Sequence, residues 1–169
     1  MILETERLII RGFNHEDIDL IYDINNDPEC IRFNSWDSMS YEDCQKDIKK
    51  WIGQYSNFPG TGAFCVEDKN EKTKIGMAFI VKTSKDGEFE IGFRLRRMHW
   101  YKGYAKEITR GFINYSRNKL NANSVIAEVY ADNLKSRNVF EKLGFLKFRH
   151  PSGEDGLVYR YDLNTSTNA

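Results

Sequence analysis

The stretch from His99 to Glu107 brings together a lysine, a glycine and an alanine where a strand-like run gives way to a predicted helix. The run before it covers 88–96, and after it apolar residues recur at spacings of three and four. The first N–H groups of a helix have no intrahelical partner and lie at the positive end of the helix dipole, so a phosphate binds there readily. Gly103 lets a bulky anion approach the backbone, Ala105 keeps the next position small, and Lys102 adds charge. The turn is therefore predicted to bind a pyrophosphate.

Two familiar phosphate-binding motifs do not match this turn. It lacks the Gly-Lys-Ser/Thr triplet of a Walker loop and the spacing of a dinucleotide-binding fingerprint. For one short match taken alone, an ordinary helix N-terminus that contains a glycine is the preferred interpretation. A second stretch, 133–145, supports the functional interpretation, because the two stretches together carry a family resemblance.

The two stretches resemble the GNAT N-acetyltransferase superfamily. In that family a Gln/Arg-x-x-Gly-x-Gly/Ala loop wraps the pyrophosphate of acetyl-coenzyme A, and an Asn-x-x-(Ser/Ala)-x-x-x-(Tyr/Phe)-x-x-x-Gly-Phe segment follows. The downstream stretch matches that segment at every anchor. The residues aligned with the loop are Trp100, Tyr101, Lys102, Gly103, Tyr104 and Ala105.

Trp100 stands at the first position of the loop, as in the subgroup that includes ribosomal-protein N-terminal acetyltransferases. The usual string there is Tyr-Trp-Gly-Lys-Gly-Tyr-Ala, and Tyr101 replaces its first glycine. A positive φ at Tyr101 would therefore carry a steric cost. Residues 3–11 are similar to the opening strand of that subgroup, so the resemblance covers nearly the whole chain.

The resemblance implies direct transfer of an acetyl group from acetyl-coenzyme A to an amine. The phosphates would bind the N–H groups of residues 101–105, and the pantetheine arm would bond the exposed backbone edge of the preceding strand. The residues expected along that edge are Ile91, Phe93, Arg94 and Leu95, with a bulge or a close backbone approach at Gly92. Packing room is an equally good explanation of Gly92.

A carboxylate on the same strand is the candidate general base. Period-two alternation places Glu88 and Glu90 on the face of Gly92. Glu90 matches the acid that the subgroup carries on this strand, and burial would raise its pKa so that it takes the proton of the amine directly or through water. A solvated strand face gives the same pattern and is the preferred interpretation for Glu88. Glu128 is the reserve candidate.

The proton donor is the point at which this sequence departs from many family members. They carry a tyrosine that protonates the departing thiolate where this chain has Phe140, which has no proton to give. Ser136 resembles the serine proposed for this role in the ribosomal-protein subgroup, although it equally suits a helix residue that bonds its own backbone. In the family Asn133 bonds the cofactor beside its thioester; as a helix N-cap it would bond the Ser136 N–H instead. We hypothesise that Ser136, Asn133 and water share the task, while Phe140 contacts the cofactor.

The elements that must position these residues follow from hydrophobic periodicity and turn signals. The predicted order is strand, two helices, three strands, helix, strand, helix, two strands, which is an α+β fold. It implies a GNAT-like mixed, mostly antiparallel central sheet of about seven strands with about four helices. Segment 27–39 is predicted as a loop, since Asp27-Pro28 is a turn signal. No break is long enough to separate domains, so residues 1–169 are expected to form one acyl-coenzyme A N-acyltransferase domain.

Composition argues against several other classes of protein. Basic and acidic residues balance at 25 each, so net charge draws the chain neither to nucleic acid nor to a membrane. Cysteines and histidines are scattered, so neither a disulfide framework nor a bound metal is expected, and no serine-hydrolase elbow is present. No apolar run could span a bilayer and no signal peptide precedes the first strand, which predicts a cytoplasmic protein. Whether it is a monomer or a homodimer stays open.

The acceptor is expected to be an amine, either a peptide N-terminus or a small molecule. Trp36, Tyr41 and Trp51 lie in the region that covers the acceptor cleft in this superfamily, and core packing explains them equally well. The leading interpretation is an N-acetyltransferase of the ribosomal-protein-alanine type or a close relative that acts on small amines. The alternative is a non-catalytic acyl-coenzyme A-binding module, which Phe140 keeps open and an inward Glu90 argues against.

Overall fold

The structure is a computed structural model that describes residues 2–33, 37–151 and 155–164. Within these residues, eight strands form one sheet in the order β1-β2-β3-β4-β5-β6-β8-β7. The strands are β1 (Leu3–Glu4), β2 (Leu8–Gly12), β3 (Gly62–Asp68), β4 (Lys74–Lys82), β5 (Glu88–Leu95), β6 (Ser124–Tyr130), β7 (Leu146–Arg149) and β8 (Gly156–Asp162). The α-helices are α1 (Ile18–Asn26), α2 (Pro28–Ile31), α3 (Tyr41–Gln54), α4 (Tyr104–Lys119) and α5 (Leu134–Lys142), with 3-10 turns at His15–Asp17 and Arg97–His99.

The sheet is antiparallel everywhere except between its two central strands. β5 and β6 run parallel and pair only over Glu88–Glu90 and Ser124–Ile126. On its other side β5 pairs with β4 from Phe89 to Leu95 in unbroken register. The two central strands therefore separate after Glu90, and 91–95 keeps a backbone edge with no strand partner in the described part of the chain. The predicted α+β fold with a mixed, mostly antiparallel sheet is confirmed.

Helices cover both faces of this sheet. Ile108 and Phe112 of α4 and Phe140 of α5 share a buried cluster with Ile91 and other inward strand residues. On the opposite face α1 and α3 pack over β3 and β4, in a second cluster that contains Ile24, Ile48, Cys65 and Met77. Alternate residues of β5 consequently face different helical layers.

Two details of the predicted element order are wrong. The first strand is divided, because residues 5–7 turn the chain back so that β1 pairs with β2 and the sheet gains an eighth strand. The predicted loop 27–39 contains α2, since the Asp27 side chain accepts a hydrogen bond from the Glu29 N–H at 2.9 Å and Pro28 takes the first helical position. The Asp-Pro pair that ends one helix thus also begins the next.

Candidate active site

A cavity of about 1180 Å³ lies where β5 and β6 separate. One wall is the free edge of β5, residues 91–95, and the other is formed by the end of β6 and by α5. The N-terminus of α4 closes one end, and residues of α2, α3 and β4 line the other. This volume is large enough for a ligand of cofactor size.

The turn before α4 presents backbone donors to the cavity. Gly103 is the N-cap with φ +84°, and the Glu107 N–H bonds its carbonyl at 3.1 Å. Among the described residues, no acceptor bonds the backbone N–H groups of residues 101–106. Tyr101 has φ +61°, so this residue does carry the steric cost of a left-handed conformation, roughly 1–2 kcal/mol. Backbone N–H groups without a partner at the positive end of a helix are the donors that an anion-binding site requires.

The side chains of this turn hold it in place more than they enter the cavity. The Trp100 indole N–H donates to the Leu95 carbonyl at 2.8 Å, which ties the turn to the end of β5. The Tyr104 hydroxyl donates to Asp68 at 2.7 Å, which ties the first residue of α4 to the end of β3. Lys102 is not among the residues that line the cavity, and the expected charge from its side chain is absent from the cavity wall.

Lys135 supplies a cation that sequence reasoning missed. Its ammonium lies 4.1 Å from the centre of the Trp100 ring and 5.7 Å from that of Tyr101, across the cavity from the α4 N-terminus. A basic residue two positions after Asn133 was the available signal. Only the approach of α5 to the turn gives that signal a meaning.

The start of α5 forms the wall opposite β5. Asn133 caps this helix, since its side-chain oxygen accepts from the Ser136 N–H at 3.2 Å, and both residues line the cavity. No described group bonds the Ser136 hydroxyl. Phe140 is buried, with its ring centre 6.0 Å from that of Phe93 on β5. These residues therefore surround one segment of the cavity.

Glu90 lies at the vertex where the central strands separate. It is partly buried, and burial, followed by the nearby charge of Glu128, raises the pKa of Glu90 above the usual value for glutamate. Glu90 itself is not among the cavity-lining residues, whereas Glu128 is, with its carboxylate 3.4 Å from His150 Nε2. Glu88 is buried and bonded to Arg160, so its interpretation as a solvated residue is wrong.

Gly92 serves packing and no bulge is present. The pairing of β4 and β5 shows no register shift at this position. A Cβ on Gly92 would lie 2.3 Å from the Phe79 ring, so a side chain would displace that ring. The separation of the strands therefore arises from the course of β6, and of the two explanations for Gly92 the structure supports packing room and not a bulge.

The end of the cavity opposite the α4 N-terminus is mainly apolar. Phe33, Trp51 and Phe79 line it, and the ring centres of Phe33 and Tyr130 lie 6.3 Å apart. The Arg94 side chain points to this side and donates to Asn25 at 2.6 Å. The exposed Tyr41 bonds Asp19 and does not line the cavity, and Trp36 lies outside the described residues.

Comparisons with known proteins match residues 7–146 to the acetyltransferase (GNAT) domain family. The uncharacterized N-acetyltransferase p20 of Bacillus licheniformis is 30% identical over 161 residues, which cover 95% of this chain and 86% of that protein. The crystal structure of a GNAT-family acetyltransferase from Bacillus anthracis superposes with a TM-score of 0.85 at 20% identity, covering 96% of this chain and 98% of that one. Spermidine N-acetyltransferase from Vibrio cholerae, solved with CoA and spermine, gives 0.76 at 20% identity, covering 96% and 99%.

No helix among the residues described here is long and apolar enough to cross a membrane. The family model covers most of the chain, and a relative at 30% identity matches 95% of it. The divided sheet and the donor-rich helix N-terminus agree with that assignment. The chain therefore belongs to the GNAT family and is an acetyl-coenzyme A-dependent acyltransferase.

Proposed function

We propose that this protein transfers an acetyl group from acetyl-coenzyme A directly to a primary amine, and that residues 1–169 form a single catalytic domain. The observation that carries the proposal is the cleft between β5 and β6. It combines a free strand edge, a helix N-terminus with unpaired donors, and a partly buried carboxylate at the vertex. When bound, acetyl-coenzyme A supplies the activated thioester.

The walls of the cleft fit the parts of this co-substrate. The N–H groups of 101–105 would hold the pyrophosphate, with Lys135 adding positive charge at the same end. The edge of 91–95 offers backbone N–H and C=O groups to the amides of the pantetheine arm, except for the Leu95 carbonyl, which the Trp100 indole already bonds. The acetyl end then lies near the vertex, beside Asn133 and Phe140.

Glu90 is the proposed general base. A primary amine is protonated near neutral pH and must lose a proton before it attacks a carbonyl. Because the pKa of Glu90 is raised, its carboxylate is better matched to that proton than an exposed glutamate is. Glu90 lies just outside the cavity lining, so the proton travels through a water molecule, past Glu128 at the cavity wall.

Departure of the thiolate requires hydrogen-bond donors, and the family's tyrosine is replaced here by Phe140. Ser136 and Asn133 line the cavity on the wall that carries Phe140. The Ser136 hydroxyl and the Asn133 side-chain amide are the donors available for the developing negative charge. We assign the proton-donor role to Ser136, with Asn133 and water in support.

Replacement of Ser136 by alanine should lower kcat by roughly 10-fold or more and leave the KM for acetyl-coenzyme A unchanged, because a donor to the thiolate acts mainly in the transition state. Steady-state kinetics at saturating amine measure this. Ser116→Ala, at a buried serine of α4 away from the cavity, is the matched control and should keep full activity. A Ser136→Ala variant with undiminished kcat and normal cofactor affinity would remove Ser136 from the mechanism.

The acceptor class is proposed from the chemistry of the other end of the cavity. Its apolar walls suit an alkyl or aromatic chain. The carboxylates of Glu29 and Glu128 in the lining attract a cationic amine, and the guanidinium groups of Arg32 and Arg94 in the same lining oppose it in part. One relative in the comparisons is a spermidine N(1)-acetyltransferase. A small alkyl amine, or a peptide whose N-terminal residue has an apolar side chain, fits these walls.

Release of free coenzyme A thiol tests the proposed function. We expect release from acetyl-coenzyme A in the presence of polyamines, simple alkylamines or peptides with free N-termini, and only background release without amine. Mass spectrometry of the acceptor should show one added acetyl group. Tight binding of acetyl-coenzyme A with no release across this panel would contradict the proposal and support a non-catalytic acyl-coenzyme A-binding module.

A further inference from the structure

Arg7 lies in the turn between β1 and β2 and contacts the back of the phosphate-binding turn. Its Nη1 donates to the Lys102 carbonyl at 3.0 Å, and its Nε donates to Glu107 at 2.7 Å. The guanidinium also lies 4.5 Å from the centre of the Tyr104 ring. Arg7 does not line the cavity, so it acts on the turn from outside.

The contact with Lys102 sets the direction of a neighbouring donor. In a planar trans peptide the carbonyl and the following N–H point in opposite directions. Because Arg7 holds the Lys102 carbonyl on its own side, the Gly103 N–H points away from Arg7. Gly103 lines the cavity, and its N–H has no acceptor among the described residues. The orientation of this donor therefore depends on Arg7.

The contact with Glu107 offsets a negative charge near the proposed phosphate site. Glu107 lies in the first turn of α4, and its carboxylate also accepts from the Thr5 hydroxyl at 2.5 Å and the Arg7 N–H at 2.8 Å. Burial opposes its ionisation, but the hydrogen bonds from Thr5 and Arg7 outweigh burial and lower the pKa of Glu107. An ionised carboxylate here would repel a phosphate unless a cation lies against it.

We propose that Arg7 is a positioning residue for the coenzyme. It directs the Gly103 N–H into the cavity, and its positive charge offsets the negative charge of the ionised Glu107 carboxylate beside the phosphate site. This inference rests on the proposed function, because it assumes that the pyrophosphate binds at the α4 N-terminus. Arg7 touches neither the coenzyme nor the reacting atoms. Its effect is therefore on cofactor affinity and leaves the chemical step largely unchanged.

The test compares Arg7→Ala, Arg7→Lys and the double variant Arg7→Ala/Glu107→Gln. We expect Arg7→Ala to raise the KM for acetyl-coenzyme A and the Kd for free coenzyme A by roughly 10-fold or more, with kcat changed less than about threefold. Arg7→Lys keeps the positive charge but cannot bond the Lys102 carbonyl and Glu107 with one planar group. Its KM for acetyl-coenzyme A and its Kd for coenzyme A should therefore lie between those of the parent and those of Arg7→Ala. The double variant should recover part of the affinity for coenzyme A that Arg7→Ala loses. High salt should reduce the difference in this affinity between Arg7→Ala and the parent.

Arg11→Ala, in the adjoining strand β2, is the matched control. Arg7 bonds one carboxylate and one backbone carbonyl, and Arg11 bonds two carboxylates, those of Asp17 and Glu67, and the Gly12 carbonyl at 3.0 Å, with no contact to the phosphate-binding turn. The Arg11→Ala substitution should lower the melting temperature of the free protein and leave the KM for acetyl-coenzyme A unchanged. Equal losses of stability in Arg7→Ala and Arg11→Ala with unchanged cofactor affinity in both would overturn the inference.

Binding of coenzyme A to the parent protein separates the two levels of the argument. A parent that does not bind coenzyme A overturns the proposed function and this inference together. If the parent binds coenzyme A and both Arg7→Lys and Arg7→Ala bind it as tightly as the parent does, the inference about Arg7 is overturned and the proposed function stands. If Arg7→Ala does not fold, the Kd of Arg7→Lys decides, since it should exceed that of the parent.

Discussion

Replacement of Gly103 by glutamate is expected to abolish detectable binding of acetyl-coenzyme A in a protein that still folds. At φ +84° any side chain costs roughly 1–2 kcal/mol, which a domain of this size tolerates. The new Cβ would lie 3.4 Å from Arg7 Nη2, so the carboxylate would compete with the Lys102 carbonyl for the Arg7 guanidinium and would place a negative charge beside the α4 N-terminus, where it repels the pyrophosphate. We expect affinity to fall on the order of 100-fold or more.

Thermal unfolding with and without acetyl-coenzyme A measures this effect. A ligand at about 100 times its Kd stabilises the parent by about 2.7 kcal/mol, a rise in melting temperature of roughly 5–10 °C for a domain of this size. ATP and NAD serve as ligand controls. The variant should lose the acetyl-coenzyme A response, and a response equal to that of the parent would contradict the assignment of the phosphate site.

Gly144→Glu is a matched control for this variant. Gly144 has the same φ of +84° and lies after α5, outside the residues that line the cavity. The same strain and the same added charge are thus introduced away from the proposed site. Gly144→Glu should melt at a lower temperature than the parent and retain the full stabilisation by acetyl-coenzyme A.

Replacement of Glu90 by glutamine is expected to lower kcat by roughly 100- to 1000-fold with little change in the KM for acetyl-coenzyme A, because a general base typically contributes about 100-fold to 10,000-fold. The pH profile makes the test specific. Only the ionised base accepts a proton, so activity of the parent falls as pH drops through the pKa of Glu90, which burial and Glu128 have raised. The variant should lack this acidic limb.

Glu128→Gln distinguishes the two candidate bases. Removing the charge of Glu128 removes one cause of the raised pKa of Glu90, so the acidic limb should move to lower pH while activity near neutral pH is kept. A large loss of kcat in Glu128→Gln, together with near-normal activity in Glu90→Gln, would transfer the role of base to Glu128, which lines the cavity directly.

The parts of the site that the sequence predicts are those with a local signal. A change from strand to helix periodicity around one glycine locates the α4 N-terminus and Gly103 within a few residues. Asn133 is likewise found as a helix cap because the capping partner, Ser136, lies three positions away. Alternation along β5 correctly separates the face of Gly92 from that of Ile91.

The parts that the sequence misses depend on contacts between distant segments. Arg7 bonds a carboxylate that is 100 positions away, and no periodic pattern links two such residues. Glu88 shares its face with Glu90, but only the neighbouring strand β8 brings Arg160 against it. A single local signal can also mark two structures: the Asp27-Pro28 pair, which predicts the end of α1, also forms the start of α2.

The short parallel contact between β5 and β6 means that the sheet is joined at its middle by only three residue pairs. The half from β1 to β5 and the half from β6 to β7 therefore share little cross-strand bonding, and the buried cluster that both form with α4 and α5 holds them together. A molecule bonded along 91–95 and packed against α5 completes the sheet as an added strand would. The co-substrate would then act as a structural member, slowing amide exchange along β5 and coupling the two halves into one cooperative unit.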